Sequence, residues 1–268
     1  MVLQRLLRDW SARREAAAVA RRPIPDDLWK RTLVRYPFLR RRSPADQAEL
    51  RRMTSLFLDR KEFDARPGVR LTDDVVVAVA AQACLPVLRL GLARYDGFVG
   101  IVLHPDQVVA RRSSTDEDGI VHEYDEVLSG EAREGGPVML SWHDVRTSGR
   151  SAAEAYNVVI HEFAHVLDMA DGAADGVPLL PASIPRAEWL KALQADYEAF
   201  CERVDRGEGD DTALDPYGAN GIEEFFAVAS EAFFVAPRAM SGEHPALYRL
   251  FVRFYRQDPA EEMPAAGS

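Results

Sequence analysis

The residues best equipped for chemistry lie in Val158-Val159-Ile160-His161-Glu162-Phe163-Ala164-His165-Val166-Leu167-Asp168, which contains the pattern H-E-x-x-H. On an α-helix, residues four apart are offset by roughly 40° around the axis and about 6 Å along it. His161 and His165 can therefore present their imidazoles to one ion, with Glu162 standing at the edge of the same face. Neutral imidazole nitrogen suits zinc, and a catalytic zinc site takes three protein ligands and keeps its fourth position for water. A third ligand must then come from elsewhere in the chain. With 6 His in 268 residues, such a pattern arises by chance in roughly one chain of this composition per hundred. Its surroundings sharpen it. Val158, Val159, Ile160, Phe163, Val166 and Leu167 form an apolar girdle that reads as a buried helix, where two histidines and a glutamate are costly without a shared purpose.

A second apolar helix repeats the anomaly. Gly221 to Glu231 (GIEEFFAVASE) carries Glu224 and Glu231, which lie two turns apart and so share one face, whereas Glu223 points about 100° away from Glu224. The end of this helix nearest the polar Tyr217–Gly221 loop suits an open metal site, which favours Glu224 as the third ligand. Glu231 is placed to hold a ligand histidine in its metal-binding tautomer. Asp168 is open to two readings, support for a ligand histidine or solvation of the helix end. His104, His122, His143 and His244 lack ligand spacing to one another.

The elements that must position these groups follow from periodicity and punctuation. Helices are predicted over 2–20, from Asp26-Asp27 to about Val34, from Ser43-Pro44 to about Lys61, and from the Thr72 cap to Cys84, ending at Pro86. Strands are predicted at 98–103, 107–111, 119–122 and 137–142. The H-E-x-x-H helix is placed at Ser151 to Ala170, with Ser151 as N-cap and Glu154 at the capping-box position. Further helices follow from Pro185 or Arg186 to about Val204, from Ile222 to Val235, and from Pro245 to Tyr255. The fold class expected is α+β, mainly helical, with a small mixed sheet. Residues 1–22 read as a basic helical arm, 23–257 as one catalytic domain, and 258–268 as a flexible tail.

Composition bounds the function. Apolar residues at 47% and charged residues at 28% describe an ordinary globular chain. Cys84 and Cys201 form no disulfide framework and no C-x-x-C signature, and the arginine-rich N-terminus does not read as a signal peptide, so a cytoplasmic protein is expected. The apolar run from Val75 to Leu90 is interrupted by Gln82 and Pro86, so no membrane span is expected. The net charge is −10, yet the first 42 residues hold 12 Lys and Arg against 4 Asp and Glu. No recognised nucleic-acid module accompanies that basic stretch, so direct nucleic-acid binding is not expected.

HEFAHVLDMADG, Asp215-Pro216-Tyr217 with Glu224 seven residues on, and GIEEFFAVASEAFF resemble the Mlc titration factor A family of zinc metallopeptidases. AAQACLPVLRL (80–90), Tyr95-Asp96-Gly97 and HEYDEVLSGEAREGGPVMLSW (122–142) extend the resemblance over roughly residues 24–257. That family is similar in its core to the catalytic domain of anthrax lethal factor, which implies a zincin-like fold. The resemblance implies that His161, His165 and Glu224 ligate one zinc ion per chain, that Glu162 is the catalytic base, and that Tyr217 stabilises the oxyanion. It implies an aminopeptidase acting on short peptides, with zinc lowering the pKa of a bound water toward about 7 and Glu162 accepting its proton. The rival reading is a protein that sequesters a transcriptional repressor, with catalysis secondary. The 137–142 strand is a candidate edge for pairing an extended peptide, although its alternation suits a core strand equally.

Overall fold

The computed structural model describes residues 2–115, 121–133, 135–147 and 155–262; of residues 2–9, 11, 108–115 and 121–128 it describes the backbone only. The chain begins with helix α1 (Val2–Arg21), followed by α2 (Asp26–Arg35), α3 (Pro37–Arg40) and α4 (Pro44–Arg60). Ser43 caps α4, its side chain accepting from Asp46 N, and Pro44 occupies the first turn, where its missing N–H costs nothing. The basic arm does not project freely. It packs along α4, with Arg21 paired to Asp59 at 2.7 Å and Glu15 to Arg52 at 2.8 Å.

Strand β1 (Glu62–Ala65) and helix α5 (Asp73–Cys84) lead to β2 (Gly100–His104), then β3 (Val108–Thr115), β4 (Val121–Leu128), β5 (Gly130–Glu131) and β6 (Val138–Ser141). The main sheet has the order β1-β2-β6-β5, parallel throughout except for β5, which runs antiparallel to β6 at the edge. β3 and β4 form a separate antiparallel pair that leaves the sheet between β2 and β5. In β2 the alternation is visible in burial: Ile101 and Leu103 are fully enclosed while Val102 and His104 are half-buried. Phe98, predicted as part of this strand, instead joins Tyr95, Phe57 and Phe163 in an aromatic cluster, with the Tyr95 and Phe163 rings 5.0 Å apart edge to face.

The second half is helical: α6 (Trp142–Thr147), α7 (Val158–Asp168), α8 (Arg186–Asp205), α9 (Ile222–Val235), α10 (Pro237–Glu243) and α11 (Pro245–Tyr255). The architecture is therefore mainly helical with a small mixed sheet, as expected. α7 packs against α5 and α9 and against β5 and β6. Cys84 is fully buried, as a small hydrophobe.

The structure adjusts several of these expectations. α7 starts at Val158, with residues 155–157 outside the helix, because Asn157 supplies the cap: its Oδ1 accepts from Ile160 N at 3.0 Å. Ser151 and Glu154, expected to cap it, lie outside the described residues. The strands expected at 107–111 and 119–122 are longer, pairing over Val108–Thr115 and Val121–Leu128. β6 is interior to the sheet, so the edge nearest α7 is β5, which sequence reasoning missed together with β1 and α10. Residues 258–262 are held in place rather than loose: Tyr248 Oη donates to Asp258 Oδ1 at 2.7 Å, and Glu262 pairs with the buried Arg42 at 3.1 Å.

Candidate metal centre

α7 carries His161 and His165 one turn apart, and α9 brings the side chain of Glu224 from its first turn to meet them. His161 Nε2 and His165 Nε2 stand 3.2 Å apart, and Glu224 Oε2 lies 3.0 Å from the first and 3.3 Å from the second. Zinc bonds of about 2.0 Å at tetrahedral angles separate ligand atoms by about 3.3 Å. The three atoms thus sit close to one face of a zinc-sized tetrahedron, and among the described residues they are the one cluster of three able to hold a metal ion.

The hydrogen bonding behind His161 explains why those atoms need a cation. His161 Nδ1 donates to Glu231 Oε1 at 2.7 Å, and Glu231 Oε2 accepts the backbone N–H of Asn157. A carboxylate that accepts both bonds leaves neutral His161 protonated at Nδ1, with the Nε2 lone pair aimed at its neighbours. Three acceptor atoms then converge, and either protons on the imidazoles or a metal ion must offset their mutual repulsion. Burial works against a charged His161, but Glu224 and Glu231 together hold its pKa well above the ordinary histidine value. Burial likewise pushes Glu224 upward, and the two imidazoles more than offset this, leaving the carboxyl well below its usual range. The donor set is anionic and basic together, which suits a divalent ion.

A buried chain of polar groups holds this arrangement. Glu231 is 1% exposed, Asn157 and Gln82 0%. Asn157 Nδ2 donates to Gln82 Oε1 at 2.8 Å, and Gln82 Nε2 donates to Ala78 O at 3.0 Å, so α5 braces the start of α7. Sequence reasoning anticipated the Glu231 contact and missed Asn157 and Gln82. The one available signal was amide side chains amid apolar runs. Asp168, the residue with two open readings, touches neither histidine through a hydrogen bond. Its Oδ2 accepts from Gly176 N at 2.9 Å, tying the following loop to the end of α7.

Glu162 is 5% exposed and faces the same cavity as His161, with Gly130 of β5 pressed against it: a Cβ there would come within 2.6 Å of Glu162 Cγ. Only glycine leaves room for the carboxylate. Burial raises the Glu162 pKa to about 7, against the pull of the two histidines. Tyr217 sits in a short helical turn (Pro216–Asn220) that Asp215 caps, accepting from Tyr217 N at 2.9 Å. Its ring lies 6.0 Å from that of His161, and it is 37% exposed on the cavity wall. All five residues expected at the site are therefore neighbours. His244, not expected there, is buried elsewhere, its Nδ1 3.6 Å from Asp196 Oδ1. His104 ends β2, and His143 is exposed on α6.

An H-E-x-x-H helix, a carboxylate from a second helix and an open cavity beside a strand edge make this a metallopeptidase-type centre. Residues 7–256 match the family described as glucose-regulated metallo-peptidase M90. The chain belongs to that family. It is 36% identical over 240 residues to Mlc titration factor A of Klebsiella pneumoniae (strain 342), covering 89% of each chain. It is 36% identical over 239 residues to Mlc titration factor A of Salmonella arizonae, covering 89% of this chain and 94% of the relative. An uncharacterized protein of Synechocystis sp. is 33% identical over 240 residues, covering 89% of this chain and 86% of its own. Among the described residues, no helix is long and apolar enough to cross a membrane.

Proposed function

We propose that this chain is a zinc-dependent peptidase with a zincin-like core, in which His161, His165 and Glu224 hold the ion, Glu162 is the general base and Tyr217 the oxyanion donor. The carrying observation is the convergence of two imidazole nitrogens and a carboxylate oxygen at 3.0–3.3 Å, with His161 held in the required tautomer by Glu231. A bound zinc ion supplies Lewis acidity, polarising a scissile carbonyl and making water a nucleophile near neutral pH. Glu162, buried and facing the same cavity as His161, takes the proton of the attacking water and returns it to the leaving amine. The Tyr217 hydroxyl donates to the developing oxyanion, a role supported by its ring lying 6.0 Å from that of His161 on the cavity wall. The β5 edge offers main-chain groups along which an extended substrate can pair beside Glu162. The finer reading is an aminopeptidase of short peptides, as the sequence resemblance implies.

The printed name of several relatives, Mlc titration factor A, supports a second reading: capture of a transcriptional repressor, independent of turnover. One experiment separates the two. Zinc-loaded protein, chelated protein and Glu162→Gln are assayed on chromogenic aminoacyl and peptide substrates, and each is tested for repressor capture by pull-down. Loss of the general base lowers kcat by about 10²- to 10⁴-fold with zinc content unchanged. Full activity in Glu162→Gln removes the peptidase mechanism. An inert wild type that still captures repressor establishes the second reading.

A further inference from the structure

The cavity beside the histidines has a volume of 360 Å³, and the residues lining it include four carboxylates, Asp144, Glu162, Asp215 and Glu231, with no Lys or Arg among the described residues. Three of the four are accounted for. Glu231 receives His161 Nδ1 and Asn157 N, Asp215 caps Tyr217 N, and Glu162 is the proposed base. Asp144 is left over. It is 8% exposed, and its Oδ2 is buried without a hydrogen-bond partner.

Local structure does not use this carboxylate either. Ser141 and Asp144 open α6 with the spacing of a capping box, and the Ser141 hydroxyl accepts from Asp144 N at 3.2 Å. The reciprocal half would send the Ser141 N–H to the Asp144 carboxylate. That N–H instead donates to Ser129 O at 2.7 Å, part of the β5–β6 pairing. An enclosed carboxylate with an unmet acceptor is costly and calls for a cationic partner. A primary ammonium, with three donors and one positive charge, meets that need.

We propose that Asp144 receives the α-ammonium of a substrate's free N-terminus and is the residue that makes the site select unblocked peptides. This rests on the peptidase reading above, and it adds the specificity-determining group. A carboxylate anchor in a cavity without Lys or Arg favours the amino end of a peptide and repels its carboxyl end. The other source of a primary ammonium is a lysine side chain, which the test includes.

Zinc-loaded wild type and Asp144→Asn are compared on alanine p-nitroanilide and N-acetylalanine p-nitroanilide. In parallel, calorimetry follows binding of alaninamide, N-acetylalaninamide and Nα-acetyl-lysinamide. Wild type is expected to prefer the free amine, and Asp144→Asn to lose about 10- to 100-fold in kcat/KM on that substrate alone, with zinc content unchanged. Equal wild-type rates on both anilides, or undiminished discrimination in Asp144→Asn, overturn the proposal while leaving the peptidase reading in place. If neither anilide is hydrolysed, alaninamide binding that depends on Asp144 upholds the amine site and removes the peptidase reading. Absence of such binding removes both. Tighter binding of Nα-acetyl-lysinamide than of alaninamide assigns Asp144 to a basic side chain and overturns the N-terminal assignment.

Discussion

Glu231 shows how one side chain on α9 governs a metal site on α7. Its two oxygens take two N–H groups, one from His161 and one from Asn157. Glu231→Gln supplies one oxygen and one NH₂ where two acceptors are needed, so one N–H must face another donor. Zinc affinity is expected to fall by about 10- to 100-fold, read by competition with a chromogenic chelator. Unchanged affinity would mean that His161 is oriented by packing alone. Most residues that bear chemistry were legible because local rules expose them. H-E-x-x-H needs only helical spacing, and Glu224 and Glu231 stand out as acids in an apolar helix. Asn157, Gln82, Gly130 and Asp144 were not legible. Gln82 lies 75 residues from Asn157, and Gly130 matters only because the tertiary fold brings β5 against Glu162.

At the scale of elements, the start of α7 is set by tertiary contacts. The helix begins after Asn157, which is fixed by partners on both α5 and α9. The other end of α7 offers a pH test. Asp168 is fully enclosed, one oxygen on Gly176 N and the other without a partner. Burial raises its pKa to about 7, partly offset by that backbone bond, against about 3.9 in an unfolded chain. The folded state therefore holds a proton that the unfolded state has released. The resulting stabilisation is complete below about pH 4 and is lost as pH rises to about 7. Asp168→Asn keeps an acceptor for Gly176 and cannot ionise. Its stability relative to wild type is expected to improve by on the order of 2–4 kcal/mol between pH 4 and pH 8, measured by urea unfolding with zinc saturation held constant. A pH-independent difference would show that Asp168 is not the titrating group.

At the scale of the whole molecule, the chain closes on itself through a contact 220 residues apart in sequence, between Arg42 and Glu262. The Arg42 side chain is 2% exposed and its guanidinium lies 5.8 Å from the Phe234 ring centroid, so the C-terminal residues cover a cation lodged against α9. Composition suggested a loose tail from Asp258, because small and acidic residues carry no periodic signal. The partner that fixes them stands at the other end of the sequence. Removing one member of a buried pair leaves an uncompensated charge, which costs about 3–5 kcal/mol, whereas replacing both with uncharged groups costs far less. Glu262 is partly exposed, so Glu262→Gln is expected near the lower end, about 3 kcal/mol. Arg42→Met with Glu262→Gln is expected to recover most of that loss. Urea denaturation of the two single variants and the double variant closes the cycle. Strict additivity of the two single losses would show that the pair does not interact, and residues 258–260 would then be held by the Tyr248 contacts to Asp258 and Ala260 instead.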